Sequence, residues 1–331
     1  MTDNILEIKD LSIEFHTFNG VVKAINRLNL SVPRGKTVGL VGETGAGKTT
    51  TALAIMGLIP TPLGVITSGT VELNGKNVYD MKENELREIR GSKVAMIFQN
   101  PMTSLNPVYT VGEQIKRVIM QHDPKIGRQE AWEKAGEMLE IVGIPKERVN
   151  NYPHEFSGGM KQRVCIAIGL VCNPSLLIAD EPTTALDVTI QAQILDLMRG
   201  LKEKYNTSTI FITHALGVIN EIADYVAVMY AGSVIEHGDL KSIFTNPLHP
   251  YTQGLFGCLP DVDSEESKQL FVIKGSMPDP LNLPSGCKFC PRCKYAMDIC
   301  FEKEPEEEMV DGEHMVKCHM YSKMREGKIN E

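Results

Sequence analysis

Apolar and polar residues alternate along the first thirty positions of the chain, and short apolar runs follow further on. Residues 6–15 and 21–32 show the alternation that is typical of half-buried β-strands. The later apolar runs are short enough for buried strands and lie at residues 37–41, 94–98, 176–179 and 209–213. The pattern therefore predicts a strand-rich start followed by buried strands spaced along the chain.

Helical periodicity fills the spaces between these buried strands. Residues 49–58 and 189–205 repeat apolar positions at helical spacing, and residues 226–230 and 233–237 predict a closing β-hairpin. Strands that alternate with helices favour a mainly parallel sheet covered by helices. We therefore expect an α/β fold with an antiparallel β part at its start.

Residues 101–153 interrupt this order with a mainly helical stretch. Val111, Ile115, Val118 and Ile119 fit one helical face, and residues 131–142 repeat the pattern. We interpret residues 101–163 or so as a helical subdomain inserted between core strands. After residue 254 the periodicity weakens, and proline, glycine and charged residues become frequent.

Composition and charge exclude several classes of protein. The 331 residues are 42% hydrophobic and 23% charged, which is ordinary for a soluble globular chain. The formal net charge of −8 argues against a general nucleic-acid binder held by a basic surface. No apolar run reaches the roughly 18 residues of a membrane span, and no secretion signal is visible. We expect a cytosolic chain, or one held at a membrane through a partner.

A glycine-rich loop lies between the strand at 37–41 and the helix at 49–58. Residues 42–49 match the phosphate-loop pattern G-x-x-x-x-G-K-[ST] in the strand–loop–helix context that it requires. Its backbone amides and the helix N-terminus would bind phosphates, the lysine would reach the outer phosphates, and the final threonine would ligate Mg²⁺. The predicted nucleotide-binding residues are Gly42, Glu43, Thr44, Gly45, Ala46, Gly47, Lys48, Thr49 and Thr50.

Two acidic residues follow the apolar run at 176–179. Asp180 stands where a carboxylate can hold Mg²⁺ through water, and it joins the nucleotide-binding set. Glu181 is placed to orient and polarise an attacking water. Two solvated loop acids are a poor alternative after an apolar strand in a chain with a phosphate loop.

With these residues in order, the sequence resembles the ATP-binding cassette (ABC) ATPases over about residues 5–255. Residues 156–163 read Phe-Ser-Gly-Gly-Met-Lys-Gln-Arg, like the family signature, and residues 185–187 resemble the loop that crosses the dimer interface. The resemblance implies ATP and Mg²⁺ as cofactors and a cassette covering residues 1–255. It further implies that the signature and this loop serve the nucleotide of a second cassette, through Ser157, Gly158, Gly159, Gln162 and Asp187.

The same resemblance assigns three further side chains to the chain's own nucleotide. Gln99 resembles the glutamine that contacts Mg²⁺ and the attacking water, so Thr49, Gln99 and Asp180 are the predicted Mg²⁺ set. His214 resembles the switch histidine at the γ-phosphate, and Glu181, His214 and Gln99 form the predicted catalytic set. Phe15 is the first choice for the aromatic that stacks on adenine, with Phe18 as the second.

Three further stretches narrow the resemblance to one branch. Residues 98–107, 246–252 and 284–287 resemble the ATPase subunit of dipeptide and oligopeptide importers, a branch that includes some nickel importers. The phosphate loop departs mildly, because this branch more often has serine at positions 44, 46 and 49.

Membership of that branch would give the chain several partners. These are a second, probably non-identical cassette, two transmembrane permease subunits and, indirectly, an extracellular or periplasmic substrate-binding protein. The chain would lie peripherally at the cytoplasmic face of the plasma membrane, without nucleic acid. Nickel or oligosaccharide cargo stays open, as does a soluble ABC ATPase outside transport.

Five of the eight cysteines crowd into residues 287–318, within residues 256–331, which we interpret as a Cys-rich metal-binding extension. Thiolates suit Zn²⁺ or an iron–sulfur cluster, and the resemblance implies a [4Fe–4S] cluster, with zinc as the alternative. We expect His314 and His319 to be ordinary surface residues. We interpret Cys165, Cys172 and Cys258 as buried apolar side chains. The cluster ligands that the resemblance implies are Cys287, Cys293, Cys300 and Cys318, with Cys290 as a possible addition.

Overall fold

The structure is a computed structural model that describes residues 3–184, 186–257 and 273–325. The strands are β1 (Asn4–Thr17), β2 (Gly20–Pro33), β3 (Thr37–Val41), β4 (Gly64–Leu73), β5 (Lys76–Asn77), β6 (Val94–Ile97), β7 (Leu176–Asp180), β8 (Ser208–Thr213), β9 (Tyr225–Tyr230), β10 (Ser233–Asp239), β11 (Glu308–Asp311) and β12 (His314–Val316). The helices are α1 (Lys48–Ile55), α2 (Glu83–Ile89), α3 (Pro101–Ser104), α4 (Val111–His122), α5 (Arg128–Ile141), α6 (Gly158–Leu170), α7 (Val188–Tyr205), α8 (Leu216–Ile222), α9 (Leu240–Thr245), α10 (Pro250–Gly257), α11 (Asp298–Glu302) and α12 (His319–Arg325).

The main sheet has the order β11-β12-β10-β9-β3-β8-β7-β6. Strands β6, β7, β8, β3 and β9 run parallel to their neighbours, whereas β10 returns antiparallel to β9 in the predicted hairpin. A second sheet, β2-β1-β4-β5, is antiparallel throughout. The predicted α/β fold with a mainly parallel core is therefore confirmed.

Alternation along the central strands divides the core between the two faces of the main sheet. Leu177 and Ala179 pack with the helical part, whereas Leu176 and Ile178 pack with the antiparallel sheet and α1. A side-chain period of two produces this division, since neighbouring residues on a strand point to opposite faces. All five residues of β7 are buried, as expected for a strand with both faces covered.

Helices α3 to α6 follow β6 and precede β7, as the sequence predicts. Val111, Ile115 and Ile119 of α4 are buried, and α4 and α5 pack in the same core as α6. Thr110 caps α4 by accepting a hydrogen bond from the Glu113 amide, which explains why the helix begins there. None of the helices within the described ranges combines the length and apolar character of a membrane span.

The C-terminal segment returns to the main sheet. β12 pairs antiparallel with β10, through Glu236 with Val316 and His237 with Met315, and β11 pairs with β12. The division at residue 255 stays a prediction, and the two parts share one sheet. Cys165 is buried and Cys172 partly buried, whereas Cys258 lies outside the described residues.

Docking of this segment makes one expectation wrong. His314 and His319 are only 4% and 6% exposed, so neither is a surface residue. His314 Nε2 lies 2.8 Å from a carboxylate oxygen of Glu236 on β10, and His319 Nε2 lies 2.8 Å from the Lys303 carbonyl oxygen. The strand pairing that covers these rings is long-range in sequence, so the local pattern gave no sign of it.

Candidate active site

The phosphate loop lies between β3 and α1, pressed against neighbouring backbone. A Cβ atom at position 42 would lie 2.2 Å from the Met229 carbonyl oxygen, and one at position 47 would lie 2.9 Å from the Ala24 carbonyl oxygen. Gly47 also has φ 104° as it caps α1, a left-handed conformation that favours glycine. Close packing against β2 and β9 therefore explains why these two loop positions are glycine.

Lys48 is held across the loop that contains it. Its side chain is 7% exposed, and its Nζ donates to the carbonyl oxygens of Gly42 at 2.8 Å and Glu43 at 3.1 Å. Burial lowers the pKa of Lys48, and the carboxylates of Glu181, Asp180 and Glu43 oppose that effect. The loop thus holds an ammonium group where phosphate oxygens would bind.

Asp180 and Thr49 meet at the start of α1. Asp180 ends β7 with 3% exposure; burial raises the pKa of Asp180, although a hydrogen bond from the Thr49 hydroxyl opposes that effect. A carboxylate beside a hydroxyl supplies the hard oxygen ligands that Mg²⁺ prefers. The donor set therefore fits the predicted Mg²⁺ site.

Glu181 brings the predicted catalytic residues together. Its carboxylate accepts hydrogen bonds from Gln99 Nε2 at 2.8 Å and Thr184 Oγ1 at 3.1 Å, and lies 3.2 Å from His214 Nδ1. Gln99, Glu181 and His214 follow the carboxyl ends of β6, β7 and β8, which parallel pairing places at one edge. Glu181 also has φ 48°, a strained conformation for a residue with a side chain and one that recurs at functional sites.

A cavity of about 610 Å³ contains this constellation. It is lined by Gln99, Glu181 and His214, by residues 22–24 and by residues of the C-terminal segment. Of the predicted phosphate-loop residues, Thr44, Gly45, Gly47, Lys48, Thr49 and Thr50 line it, whereas Gly42, Glu43 and Ala46 do not. Sequence reasoning missed Thr184, although it lies three residues after Glu181. It also missed the C-terminal residues, since no motif marks them: Met277, Pro278, Asp279, Pro280 and Leu283.

The aromatic residues predicted for adenine lie elsewhere. Phe15 is half-buried beside Gly64, whose Cβ would lie 3.0 Å from the Phe15 ring, and it does not line the described cavity. Phe18 is fully exposed in the turn between β1 and β2. The stacking role of either ring stays a prediction.

The signature residues form a separate surface. Ser157 caps α6 by accepting from the Met160 amide at 3.3 Å, and Asp187 caps α7 by accepting from the Ile190 amide at 3.0 Å. Ser157, Gly158 and Asp187 are exposed, and neither they nor Gly159 lines the described cavity of the same chain. Gln162 is only 1% exposed, so the structure does not bring it to this surface.

All five C-terminal cysteines line one small cavity together with His249 and His319. No disulfide joins any of the described cysteines. Burial raises the pKa of Cys287 to about 12 and that of Cys318 to about 11. Within residues 3–184, 186–257 and 273–325, no three histidine, cysteine or acidic side chains are arranged to hold a metal ion.

Comparison with known families agrees with this geometry. A sequence model described as "ABC transporter" matches residues 25–184, and one described as "Oligopeptide/dipeptide transporter, C-terminal region" matches residues 235–300. The chain belongs to the ABC transporter family and is an ATPase of the ABC class. Within that family, it lies among the oligopeptide and dipeptide transport ATP-binding proteins.

Individual relatives cover nearly the whole chain. The oligopeptide transport ATP-binding protein OppD of Bacillus subtilis is 51% identical, over 95% of this chain and 88% of the relative. The dipeptide transport ATP-binding protein DppD of Lactococcus lactis is 46% identical, over 95% and 90%. The dimeric ABC cassette MJ0796 bound to ADP and Pi has a TM-score of 0.64 and 27% identity, over 71% of this chain and 98% of that one.

Proposed function

We propose that this chain is the ATP-binding and ATP-hydrolysing subunit that energises an importer of dipeptides or oligopeptides. The observation that carries the enzymatic part is the Glu181 carboxylate, which contacts Gln99 and His214 at the mouth of the phosphate-loop cavity. The peptide cargo is supported by the relatives, which are oligopeptide and dipeptide transport ATP-binding proteins.

Each residue of the site has a chemical task in this proposal. Lys48 and the loop amides bind the phosphates, Thr49, Asp180 and Gln99 would hold Mg²⁺, and Glu181 orients and polarises the attacking water. Bound Mg²⁺ would supply charge neutralisation at the phosphates. His214 would contact the γ-phosphate, because it faces the same carboxylate as Gln99.

The signature surface acts on a second cassette. Ser157, Gly158, Gly159 and Asp187 lie away from the chain's own described cavity, as residues that serve a facing nucleotide would. Two ATP molecules would then hold two cassettes together, and hydrolysis would release them. Gln162 belongs to the signature helix but is buried, so its part would be to support the helix.

The proposed assembly has the second cassette as a related, non-identical chain. Two transmembrane permease subunits would bind the helical subdomain at the cytoplasmic face of the membrane, and a substrate-binding protein would deliver cargo from outside. The chain itself would be peripheral, without nucleic acid among its partners.

Transport assays test the cargo. Deletion of the gene should abolish uptake of labelled dipeptides and tripeptides, and the wild-type chain should restore it, whereas the Glu181→Gln variant should not. Purification of the tagged chain from membranes should recover two permeases and a second cassette. Normal peptide uptake in the deletion strain, with loss of nickel or oligosaccharide uptake, would replace the proposed cargo. Recovery without permeases would favour a soluble ABC ATPase.

We also propose a [4Fe–4S] cluster held by Cys287, Cys293, Cys300 and Cys318. The support is that these thiols and Cys290 line one small cavity, and thiolates suit iron–sulfur clusters. The described side chains are not spaced to hold a metal as they stand, so binding would have to draw the thiols together. Zn²⁺ is the alternative, and Cys290 is a possible further ligand. Anaerobically purified protein should contain iron and absorb near about 400 nm, as iron–sulfur proteins do. Zinc without iron, or neither metal, would contradict the cluster.

A further inference from the structure

A partly buried ion pair joins the Cys-rich segment to the phosphate loop. Arg292 Nη1 lies 3.1 Å from both carboxylate oxygens of Glu43, and its side chain is only 7% exposed. The same nitrogen lies 3.3 Å from the Tyr230 hydroxyl, and Arg292 Nε donates to the Lys274 carbonyl oxygen at 3.1 Å. The guanidinium is therefore fixed from several directions.

A second contact reaches the same loop residue. The Glu43 amide donates to the Tyr251 hydroxyl at 3.0 Å, and Tyr251 is fully buried. Its ring lies 4.7 Å from the Tyr230 ring and 5.5 Å from the Phe289 ring, measured between centroids. Both the backbone and the carboxylate of Glu43 are thus held from outside the loop.

The ion pair originates on the turn that contains Cys290. Arg292 belongs to the 3₁₀ turn Cys290–Arg292, and its amide donates to the Phe289 carbonyl oxygen at 2.9 Å. Phe289 precedes Cys290, and Cys293 follows Arg292. Any rearrangement of this turn would therefore shift both the ring and the guanidinium that support the loop.

The ion pair also affects the charge of the phosphate loop. Glu43 lies in the loop that receives the nucleotide phosphates, and its carbonyl oxygen accepts from Lys48 Nζ. An unpaired carboxylate here would repel an anionic ligand, and the repulsion between close charges is large where water is partly excluded. Arg292 neutralises that carboxylate and is itself held by the Tyr230 hydroxyl.

We propose that Arg292 is a positioning residue through which the cysteine turn and the nucleotide site are coupled. Arg292 keeps Glu43 neutralised, so nucleotide binds more tightly when the turn is in place. Coupling between two sites is reciprocal, so bound nucleotide also stabilises the turn Cys290–Arg292. The inference rests on the nucleotide site proposed above, and it needs no particular metal.

A set of variants tests the charge argument on the full-length protein by calorimetric titration with Mg-ADP. We expect Arg292→Ala to bind about tenfold more weakly, or about 1.4 kcal/mol. Glu43→Gln should bind at least as tightly as wild type, and the double variant should recover most of the loss. Arg292→Lys, which keeps the charge, should fall between Arg292→Ala and wild type. Lys294→Ala removes a charge from the same stretch and should change affinity less than twofold.

The outcomes separate the two proposals. If the wild-type chain binds no Mg-ADP, the nucleotide site itself fails. If wild type binds and Arg292→Ala binds equally well, only the coupling is wrong. If Glu43→Gln weakens binding as much as Arg292→Ala, the pair is merely structural and charge neutralisation is overturned.

Hydrogen exchange tests the reciprocal effect without measuring activity and does not depend on whether the cysteines hold a metal. We expect Mg-ADP to slow exchange of the Cys290, Arg292 and Cys293 amides at least threefold in wild type, as read by mass spectrometry of the peptides. Arg292→Ala should show no nucleotide-dependent change while keeping the wild-type circular dichroism spectrum. Equal protection in both proteins would overturn the coupling.

Discussion

The catalytic edge of the sheet and the C-terminal segment are built in opposite ways. At the catalytic edge, each functional residue lies within two residues of the end of the strand that positions it. Gln99, Glu181 and His214 therefore meet because β6, β7 and β8 are parallel neighbours. The C-terminal segment is positioned by contacts with residues far away in sequence, such as the 78-residue separation between Glu236 and His314. A local sequence motif can predict the first arrangement but not the second.

The two regions meet at one residue of the phosphate loop. Glu43 belongs to the phosphate loop by sequence and to the C-terminal segment by contact, through Arg292. The difference between the regions therefore predicts different consequences of mutation. Substitutions at the catalytic edge should affect ATP hydrolysis. Substitutions at the seam, where the C-terminal segment contacts the rest of the protein, should affect stability and nucleotide binding.

The largest effect is expected for Glu181→Gln. The amide keeps the shape and cannot act as a base, so ATP hydrolysis should fall by at least about a hundredfold. Nucleotide binding should persist, because Lys48 and the loop are untouched. Phosphate release with saturating Mg-ATP measures the rate, and gel filtration with ATP measures the closed dimer.

Glu203→Gln provides a matched control for that variant. Glu203 is exposed on α7, so the same substitution should leave both hydrolysis and dimerisation unchanged. Hydrolysis by Glu181→Gln within threefold of wild type would remove Glu181 from its role.

The next largest effect is expected at the seam, for Glu236→Ala. Glu236 is fully buried and accepts from the amides of Leu248 and His249 at 2.7 and 2.8 Å, besides contacting His314. Removing the carboxylate leaves these donors unpaired, so the free energy of unfolding should fall by about 3–5 kcal/mol. Urea unfolding measures the loss, and hydrogen exchange should show β12 opening first.

Glu236→Gln serves as the milder partner of that variant, since it keeps acceptor capacity and should lose less stability. A Glu236→Ala protein with wild-type stability and protected β12 amides would contradict the view that this contact anchors the segment.

Sequence predicted the fold and the catalytic edge because both depend on local signals. Period-two alternation identified β1 and β2, and a motif at fixed spacing located Lys48 and Thr49. The position directly after an apolar run predicts Glu181, whereas the resemblance to the ABC ATPases predicts His214. In each case the position of the residue within a local sequence pattern determines its position in the fold.

The remaining features required long-range packing that no local pattern records. His314 reads as a polar surface residue until β12 covers it against β10. No sequence motif marks Arg292, although its side chain contacts Glu43, which lies 249 residues away in the sequence. The resemblance predicts Phe15 for adenine stacking, and that role stays a prediction, since Phe15 does not line the described cavity, whereas residues 22–24, 277–280 and 283 do.

A smaller effect is expected for Asp224→Asn, which tests a contact within the cassette. Burial alone would raise the pKa of Asp224, but Lys202 Nζ at 2.7 Å and the Thr37 amide at 2.7 Å lower it. A carboxyl whose pKa is depressed on folding stabilises the protein above its unfolded pKa of about 3.9. That stability is lost as pH falls through the lower folded pKa.

The variant should therefore lose about 1 kcal/mol at pH 7, since the group is partly exposed and screened. The difference from wild type should shrink as pH falls below about 4, because the unfolded chain then binds a proton at this carboxyl, and it should vanish once pH is below the lower folded pKa and folded Asp224 is protonated as well. Urea unfolding at both pH values measures this. A difference that stays constant with pH would show that the charge contributes nothing.

The smallest effect is expected for Asp279→Asn, in the part of the C-terminal segment that lines the nucleotide cavity. Asp279 is exposed, and its Oδ1 accepts from the Leu281 amide at 2.9 Å, a contact that asparagine can keep. Only a negative charge is removed from a cavity that receives an anion. Mg-ADP should therefore bind about two- to threefold more tightly at low salt, with the gain fading at high salt as screening increases.

Asp298→Asn, which changes an exposed acid of α11 that does not line the described cavity, should leave affinity unchanged. Weaker binding by Asp279→Asn, or a gain that salt does not reduce, would show that the segment contributes to this site by shape alone.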